Sequence, residues 1–209
     1  YGNHYIDKED IKSVTKALKS NFITQGKNVT EFERNLKEKF GSKYCSAVSN
    51  GTAALHIGLK SLDIKKGGTV LTTPLTFIAT ASTIVMNELT PDFIDIDKSN
   101  NTLDINLLED KLKKNKDIKA IIGVDYAGHP CDWSSISYLK KKYNLWLIND
   151  NCHAMGSRIK GSIKYGLKFA DIVTHSYHPV KNFTTGEGGA ILTNNKKIFE
   201  KIKLLRSHG

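Results

Sequence analysis

Lys181 stands in an irregular segment, residues 174–189, between a short apolar run ending at Val173 and another at residues 190–192. A lysine in a tight loop between two strands is not there to solvate a helix face. Its amine can attack a carbonyl carbon and, once neutral, can take and return a proton. A desolvated pocket favours that neutral state. The plainer alternative is an incidental lysine on a surface loop. Asp150 follows the apolar run Leu145-Trp146-Leu147-Ile148 and Asn149, at the carboxyl end of what reads as a parallel strand. Ligands of open α/β sheets sit at that edge. A cap on the following turn would account for the same position. The stretch Ser49-Asn50-Gly51-Thr52-Ala53-Ala54 is a small-residue turn opening a helix. Free N–H groups at such a start suit an anion, above all a phosphate, although many helices begin this way. Phe77 falls just past another strand end, where the default reading of an aromatic is core.

These residues need elements to hold them. Asp7 can cap a helix with Asp10 behind it, and Ile11, Val14 and Leu18 recur at helical spacing. Residues 21–26 break that pattern. Phe32, Leu36 and Phe40 mark a second amphipathic helix, ended by Gly41. From Tyr44 the pattern changes to strand alternating with helix. Strands are predicted at 44–48, 69–73, 91–96, 118–124 and 145–148. Helices are predicted from the Asn50 turn to about residue 62, at 78–87, over most of 103–115, along Ile136, Leu139 and Tyr143, and at 196–206. Such alternation predicts an α/β fold, a mostly parallel sheet with helices on both faces and right-handed crossovers.

Apolar residues make up 39% of the 209, which excludes a disordered chain. No apolar run approaches the roughly 20 residues a membrane helix needs, and the first residues lack a basic-then-apolar secretory pattern. The formal charge of +10 comes mainly from lysines on helical segments, such as Lys111-Leu112-Lys113-Lys114 and Lys140-Lys141-Lys142. A solvated surface explains these better than a nucleic-acid face, and the field also favours an anionic substrate. Cys45, Cys131 and Cys152 have neither metal-site nor disulfide-framework spacing, which fits reduced thiols in the cytoplasm.

The loop Ser176-Tyr177-His178-Pro179-Val180-Lys181, followed by Thr184-Thr185-Gly186-Glu187-Gly188-Gly189, resembles the lysine loop of the DegT/DnrJ/EryC1/StrS sugar aminotransferases. The resemblance covers essentially the whole chain. It implies the large domain of a pyridoxal-phosphate-dependent transferase, aspartate aminotransferase-like and of fold type I. It also implies pyridoxal 5'-phosphate as cofactor, bound as a Schiff base to Lys181. By the same resemblance Asp150 holds the charge of the ring nitrogen, Phe77 stacks on the ring, His153 contacts the ring hydroxyl, and Thr52, Ala53 and Ser176 bind the phosphate. Lys181 and Asp150 are the catalytic pair. A related branch of sugar dehydratases has histidine where Lys181 stands, so the lysine favours transamination.

Three further stretches resemble the pseudaminic-acid branch: the opening Tyr1-Gly2-Asn3-His4-Tyr5-Ile6 with residues 21–26, the turn Asp125-Tyr126-Ala127-Gly128-His129-Pro130-Cys131-Asp132, and the closing Leu204-Leu205-Arg206-Ser207-His208-Gly209. This implies transfer of an amino group from L-glutamate to the C4 keto group of a UDP-linked 4-keto-6-deoxy-N-acetylhexosamine, by a cytoplasmic homodimer with no nucleic-acid or membrane partner. The alternatives are a sugar dehydratase relative and a non-catalytic or truncated module of the same fold. By this reading residues 1–40 form an N-terminal helical segment and residues 41–209 the cofactor-binding large domain. Family members continue into a smaller domain, which is expected to be absent after Gly209. The chain alone is then expected to be inactive, with an exposed apolar patch on the last helix at Ile198, Ile202 and Leu205. Asn149, Asn151 and Cys152 depart from the family's pattern around the aspartate.

Overall fold

The structure, a computed structural model, describes residues 4–208, so Tyr1, Gly2, Asn3 and Gly209 of the family pattern lie outside it. The first helix, α1 (Lys8–Leu18), starts at a capping box. The Asp7 side chain accepts from the Asp10 amide, and Asp10 returns the bond to the Asp7 amide. Ile11, Val14 and Leu18 share a face as expected, yet α1 buries no residue. Helix α2 (Lys27–Phe40) ends at Gly41, whose φ of 68° is the left-handed cap glycine supplies most easily. Its Leu36 and Phe40 pack against Cys45, Val173, Tyr177, Ala190 and Leu192. So α2 rests on the sheet, and the packed body begins before residue 41.

The remaining elements alternate. They are β1 (Tyr44–Val48), α3 (Gly51–Lys60), β2 (Thr69–Thr72), α4 (Ile78–Met86), β3 (Thr90–Phe93), α5 (Ile105–Lys114), β4 (Ile118–Val124), α6 (Trp133–Tyr143), β5 (Trp146–Asp150), α7 (Gly166–Phe169), β6 (Ile172–Ser176), β7 (Gly189–Thr193) and α8 (Lys196–Arg206). The strands form one sheet in the order β1-β7-β6-β5-β4-β2-β3. Strand β7 runs antiparallel to both its neighbours, and every other pairing is parallel.

Strand period places successive residues on opposite faces. Ile122, Ile148, Ile172 and Ile191 meet Leu55 and Leu59 of α3, Ile84 of α4, and Ile198 and Ile202 of α8. Ile121 and Leu147 meet Leu108 and Leu112 of α5 and Trp133, Ile136 and Leu139 of α6. Burial on both faces explains why β4, apart from Lys119, and the first three residues of β5 read as apolar runs. Each such Leu or Ile contributes roughly 1.5–3 kcal/mol by leaving water. The expected apolar patch on the last helix is corrected here. Ile198 and Ile202 are 4% and 0% exposed, and only Leu204 and Leu205 face solvent. The lysine clusters lie on the outer faces of α5 and α6, where Lys111, Lys140 and Lys142 pair with Asp92, Asp171 and Glu109.

Candidate functional site

Strands β1, β2, β4, β5 and β6 all deliver their carboxyl ends to one edge of the sheet, where antiparallel β7 begins. Register fixes who meets whom: Gly189 stands between Val48 and Ser176, while Asp150 pairs with Val124 and Thr174. Two glycines let the start of α3 press onto this edge. A Cβ at Gly189 would lie 2.4 Å from the Asn50 carbonyl oxygen. One at Gly51 would lie 2.7 Å from Ser176 Cβ and 3.2 Å from both Ser176 Oγ and Cys152 Sγ. The first turn of α3 therefore opens directly beside the Ser176 hydroxyl. Asn50 caps it, its Oδ1 accepting the Ala53 amide at 2.8 Å. The Gly51 and Thr52 amides have no acceptor among the described residues. Thr52 thus offers a free donor to an anion, whereas the Ala53 amide is already engaged.

Asp150 is 5% exposed at the end of β5. One carboxylate oxygen accepts the Thr80 hydroxyl at 2.8 Å. The other accepts the Cys152 amide at 3.2 Å. The turn cap weighed from sequence is therefore present, and it leaves the second oxygen to a partner on α4. Burial pushes the Cys152 thiol well above its ordinary range, with the Asp150 charge adding to the effect. His153 is half-buried. Burial foremost, and then the Lys181 charge, lower its pKa, while Asp150 opposes them. The charges of Lys181 and Asp150 thus both reach His153. The Tyr126 ring sits 6.0 Å from the His153 ring.

Phe77 corrects the default core reading. It is 64% exposed at the residue before α4, on the same sheet edge. Lys181 sits in the β6–β7 loop, its amide bonded to the His178 carbonyl at 2.9 Å. The loop is tied down at Tyr177. The Tyr177 amide donates to Gly188 at 2.8 Å, and its carbonyl accepts the Thr184 hydroxyl at 2.9 Å and the Thr185 amide at 3.1 Å. The Tyr177 ring is fully buried, with edge contacts to Phe32 and Phe183. No carboxylate among the described residues pairs with the Lys181 amine.

Sequence reasoning missed two supports. Thr80 is one; its hydrogen bond to Asp150 spans 70 positions of sequence. The other is Asp125, fully buried after β4. One of its oxygens accepts the Cys131 amide and Trp133 Nε1, at 2.9 and 2.8 Å. The other accepts Asn151 Nδ2 and the Tyr165 hydroxyl, at 2.9 and 2.7 Å. Burial raises the Asp125 pKa and the four donors pull it back. Because Asn151 follows Asp150, this network anchors the turn that carries Asp150 and His153. The available signal was the motif Asp125 to Asp132, whose first residue follows a buried strand. Asn149 turns to the opposite face, buried, with both side-chain polar atoms unpartnered among the described residues.

Known proteins share this arrangement of elements. The profile of the DegT/DnrJ/EryC1/StrS aminotransferase family matches residues 4–209. A UDP-4-amino-4,6-dideoxy-N-acetyl-beta-L-altrosamine transaminase of Campylobacter jejuni is 48% identical over 210 residues, which cover 100% of this chain and 55% of that protein. The structure of Helicobacter pylori PseC, an aminotransferase involved in the biosynthesis of pseudoaminic acid, superposes with a TM-score of 0.94 at 37% identity. The match covers 100% of this chain and 56% of that one. The NtdA protein of Bacillus subtilis, solved with bound cofactor PMP, superposes with a TM-score of 0.85 at 28% identity, over 95% of this chain and 45% of its own. The chain spans about half the length of the curated relatives it matches.

Proposed function

The chain belongs to the DegT/DnrJ/EryC1/StrS aminotransferase family, and from that premise we propose that it is the cofactor-binding part of a pyridoxal-phosphate-dependent sugar aminotransferase. The observation that carries this reading is the meeting at one sheet edge of a capped helix start, a buried carboxylate, an exposed aromatic and a lysine without a carboxylate partner. The residues fit the cofactor. The glycine contacts at Gly51 and Gly189 bring two free amides of α3 next to the Ser176 hydroxyl, which suits a phosphate dianion. We assign the phosphate to Thr52 and Ser176 together with the Gly51 amide. Ala53 lines the same turn, its amide held by Asn50.

Pyridoxal phosphate, when bound, supplies an electron sink for breaking a C–H bond beside nitrogen. Asp150, buried and held at both oxygens, stabilises a proton on the ring nitrogen by its charge. Phe77 offers its ring as a stacking face, and His153, kept neutral by burial and by Lys181, offers a hydrogen bond to the ring hydroxyl. Lys181 holds the cofactor through its amine. In its neutral form the amine would accept a proton at Nζ and return it.

For the whole protein we propose glutamate as amino donor and a UDP-linked 4-keto-6-deoxy-N-acetylhexosamine as acceptor; the Campylobacter relative's name, which is that of a transaminase of a UDP-linked 4-amino-4,6-dideoxy-N-acetyl sugar, supports the nucleotide-sugar part of this reading. Residues 41–209 serve as the cofactor-binding domain, with α2 packed onto it. Phe77 and Lys181 lie on an open edge. A water-poor cleft over that edge is supplied in this reading by a second copy, giving a homodimer. No helix among the described residues is long and apolar enough to cross a membrane. The three unpaired cysteines accord with the cytoplasm. Borohydride reduction of the cofactor-loaded protein, followed by peptide mapping, is expected to label Lys181; label on another lysine overturns the assignment. An assay of the whole protein with glutamate and a panel of UDP-linked 4-keto sugars tests the substrate class, and amino transfer to none of them removes it.

A further inference from the structure

We propose that Thr80 is a positioning residue for the Asp150 carboxylate, and that Thr76 orients the Thr80 hydroxyl for this task. The inference rests on the cofactor assignment above and adds to it the residues that aim its carboxylate. Thr80 is completely buried in the first turn of α4. A buried threonine in a helix ordinarily bonds back to a carbonyl of the preceding turn. Thr83, equally buried one turn on, does so, its hydroxyl 3.4 Å from the Thr80 carbonyl. Thr80 instead reaches across to the end of β5 and meets Asp150 at 2.8 Å.

The direction of each proton follows by elimination. A carboxylate has only acceptors, so the single Thr80 proton goes to Asp150. The Thr76 hydroxyl lies 2.8 Å from the Thr80 oxygen, which has no further proton to give. Thr76 is therefore the donor in that pair. The chain runs Thr76 to Thr80 to Asp150, ending on a carboxylate whose other oxygen takes the Cys152 amide. Both oxygens are thus held, one from a helix and one from a turn, and the carboxyl plane cannot rotate freely. A hydrogen bond to a charged group is stronger than one between neutral partners, enough to decide an orientation.

The test compares Thr80→Val, Thr80→Ser, Thr76→Val and the control Thr83→Val in cofactor-loaded protein. The readouts are the visible absorption band and the dissociation constant for pyridoxal phosphate. Thr80→Val keeps the side chain's shape and removes the donor, so it is expected to displace the band and weaken binding roughly tenfold or more. Thr80→Ser, which keeps the hydroxyl, restores both. Thr76→Val gives a smaller change of the same kind. Thr83→Val lowers the melting temperature without moving the band. A wild-type band and affinity in Thr80→Val overturn the inference, as does failure of Thr80→Ser to rescue, since both mark a purely steric role. If wild-type protein shows no visible band that Lys181→Ala abolishes, the cofactor assignment itself is what has failed, and this inference falls with it.

Discussion

His175 lies one residue before Ser176 and is 1% exposed, with the Phe40 ring 4.6 Å away and the Tyr177 hydroxyl at 3.3 Å. Burial alone lowers its pKa to about 3. In the unfolded chain it titrates near 6.5, so below that pH the unfolded state binds the extra proton and the folded state does not. The stabilisation from keeping His175 neutral is complete above pH 6.5 and is lost progressively as pH falls towards 3. His56 and His153 are shifted the same way, mainly by burial, and add to the slope. We expect the melting temperature to fall between pH 7 and pH 4.5, and His175→Gln to flatten that dependence; an unchanged slope in the variant would refute the account. At the same scale, Asp150→Ala is expected to cost about two decades in the half-reaction with glutamate, or about 3 kcal/mol of barrier. Transamination at a near wild-type rate would remove Asp150 from the mechanism. The positions of Asp150 at the end of β5 and of Lys181 in the β6–β7 loop were legible in the sequence because apolar runs mark the strands around them, whereas the roles given to them rest on the resemblance. Thr80 was not, because its partner is fixed only when α4 packs beside β5. For Phe77 position alone favoured core and the resemblance a stacking face, because an aromatic at a strand end gives no sign of what will cover it; the structure leaves it exposed.

The elements whose patterns are set by two-sided burial were the easiest to place. Strand β4 and helix α8 fall where their apolar spacing puts them. The strand expected at 91–96 stops at Phe93, and Ile96 makes only an isolated bridge to Leu103. The single turn α7 has too few residues to show a period at all. The approach of α3 to the sheet also escaped a one-dimensional reading, since it depends on what lies under Gly51 and Gly189. Gly51→Ala places a methyl 2.7 Å from Ser176 Cβ, between two backbones that both carry site residues. We expect it to cost roughly 1–3 kcal/mol of stability, in the range of overpacked cores, and to weaken pyridoxal phosphate binding. Retention of wild-type cofactor affinity would show that the helix start can move without consequence. Asp125→Ala removes the acceptor of four donors at once. It is expected to destabilise by about 3 kcal/mol or more through the orphaned groups, a figure that urea unfolding can check.

The molecule as a whole is unevenly secured. Around the sheet, three apolar clusters lock α2 to α8 in place. Helix α1 has its capping box and little else, with Ile11, Val14 and Leu18 each at least 59% exposed. An isolated helix of fewer than about 12–15 residues is marginal in water. Hydrogen exchange of the monomer is therefore expected to find α1 amides weakly protected beside those of β4 and β5. Strong protection there would mean that something covers this face. The placement of β7 has a consequence of another kind. Among the described residues strand β1 has no sheet neighbour except β7, and Val48 waits for Gly189, about 140 residues later. At the 5–20 residues per second of protein synthesis, that interval is roughly 7–30 s. Throughout it, β1 and the Asn50-Gly51 turn emerge with no strand beside them and no floor beneath. The turn proposed to bind an anion is thus made well before the strand that gives it its shape, and a ribosome that stalls before residue 189 carries an unpaired edge open to any passing strand.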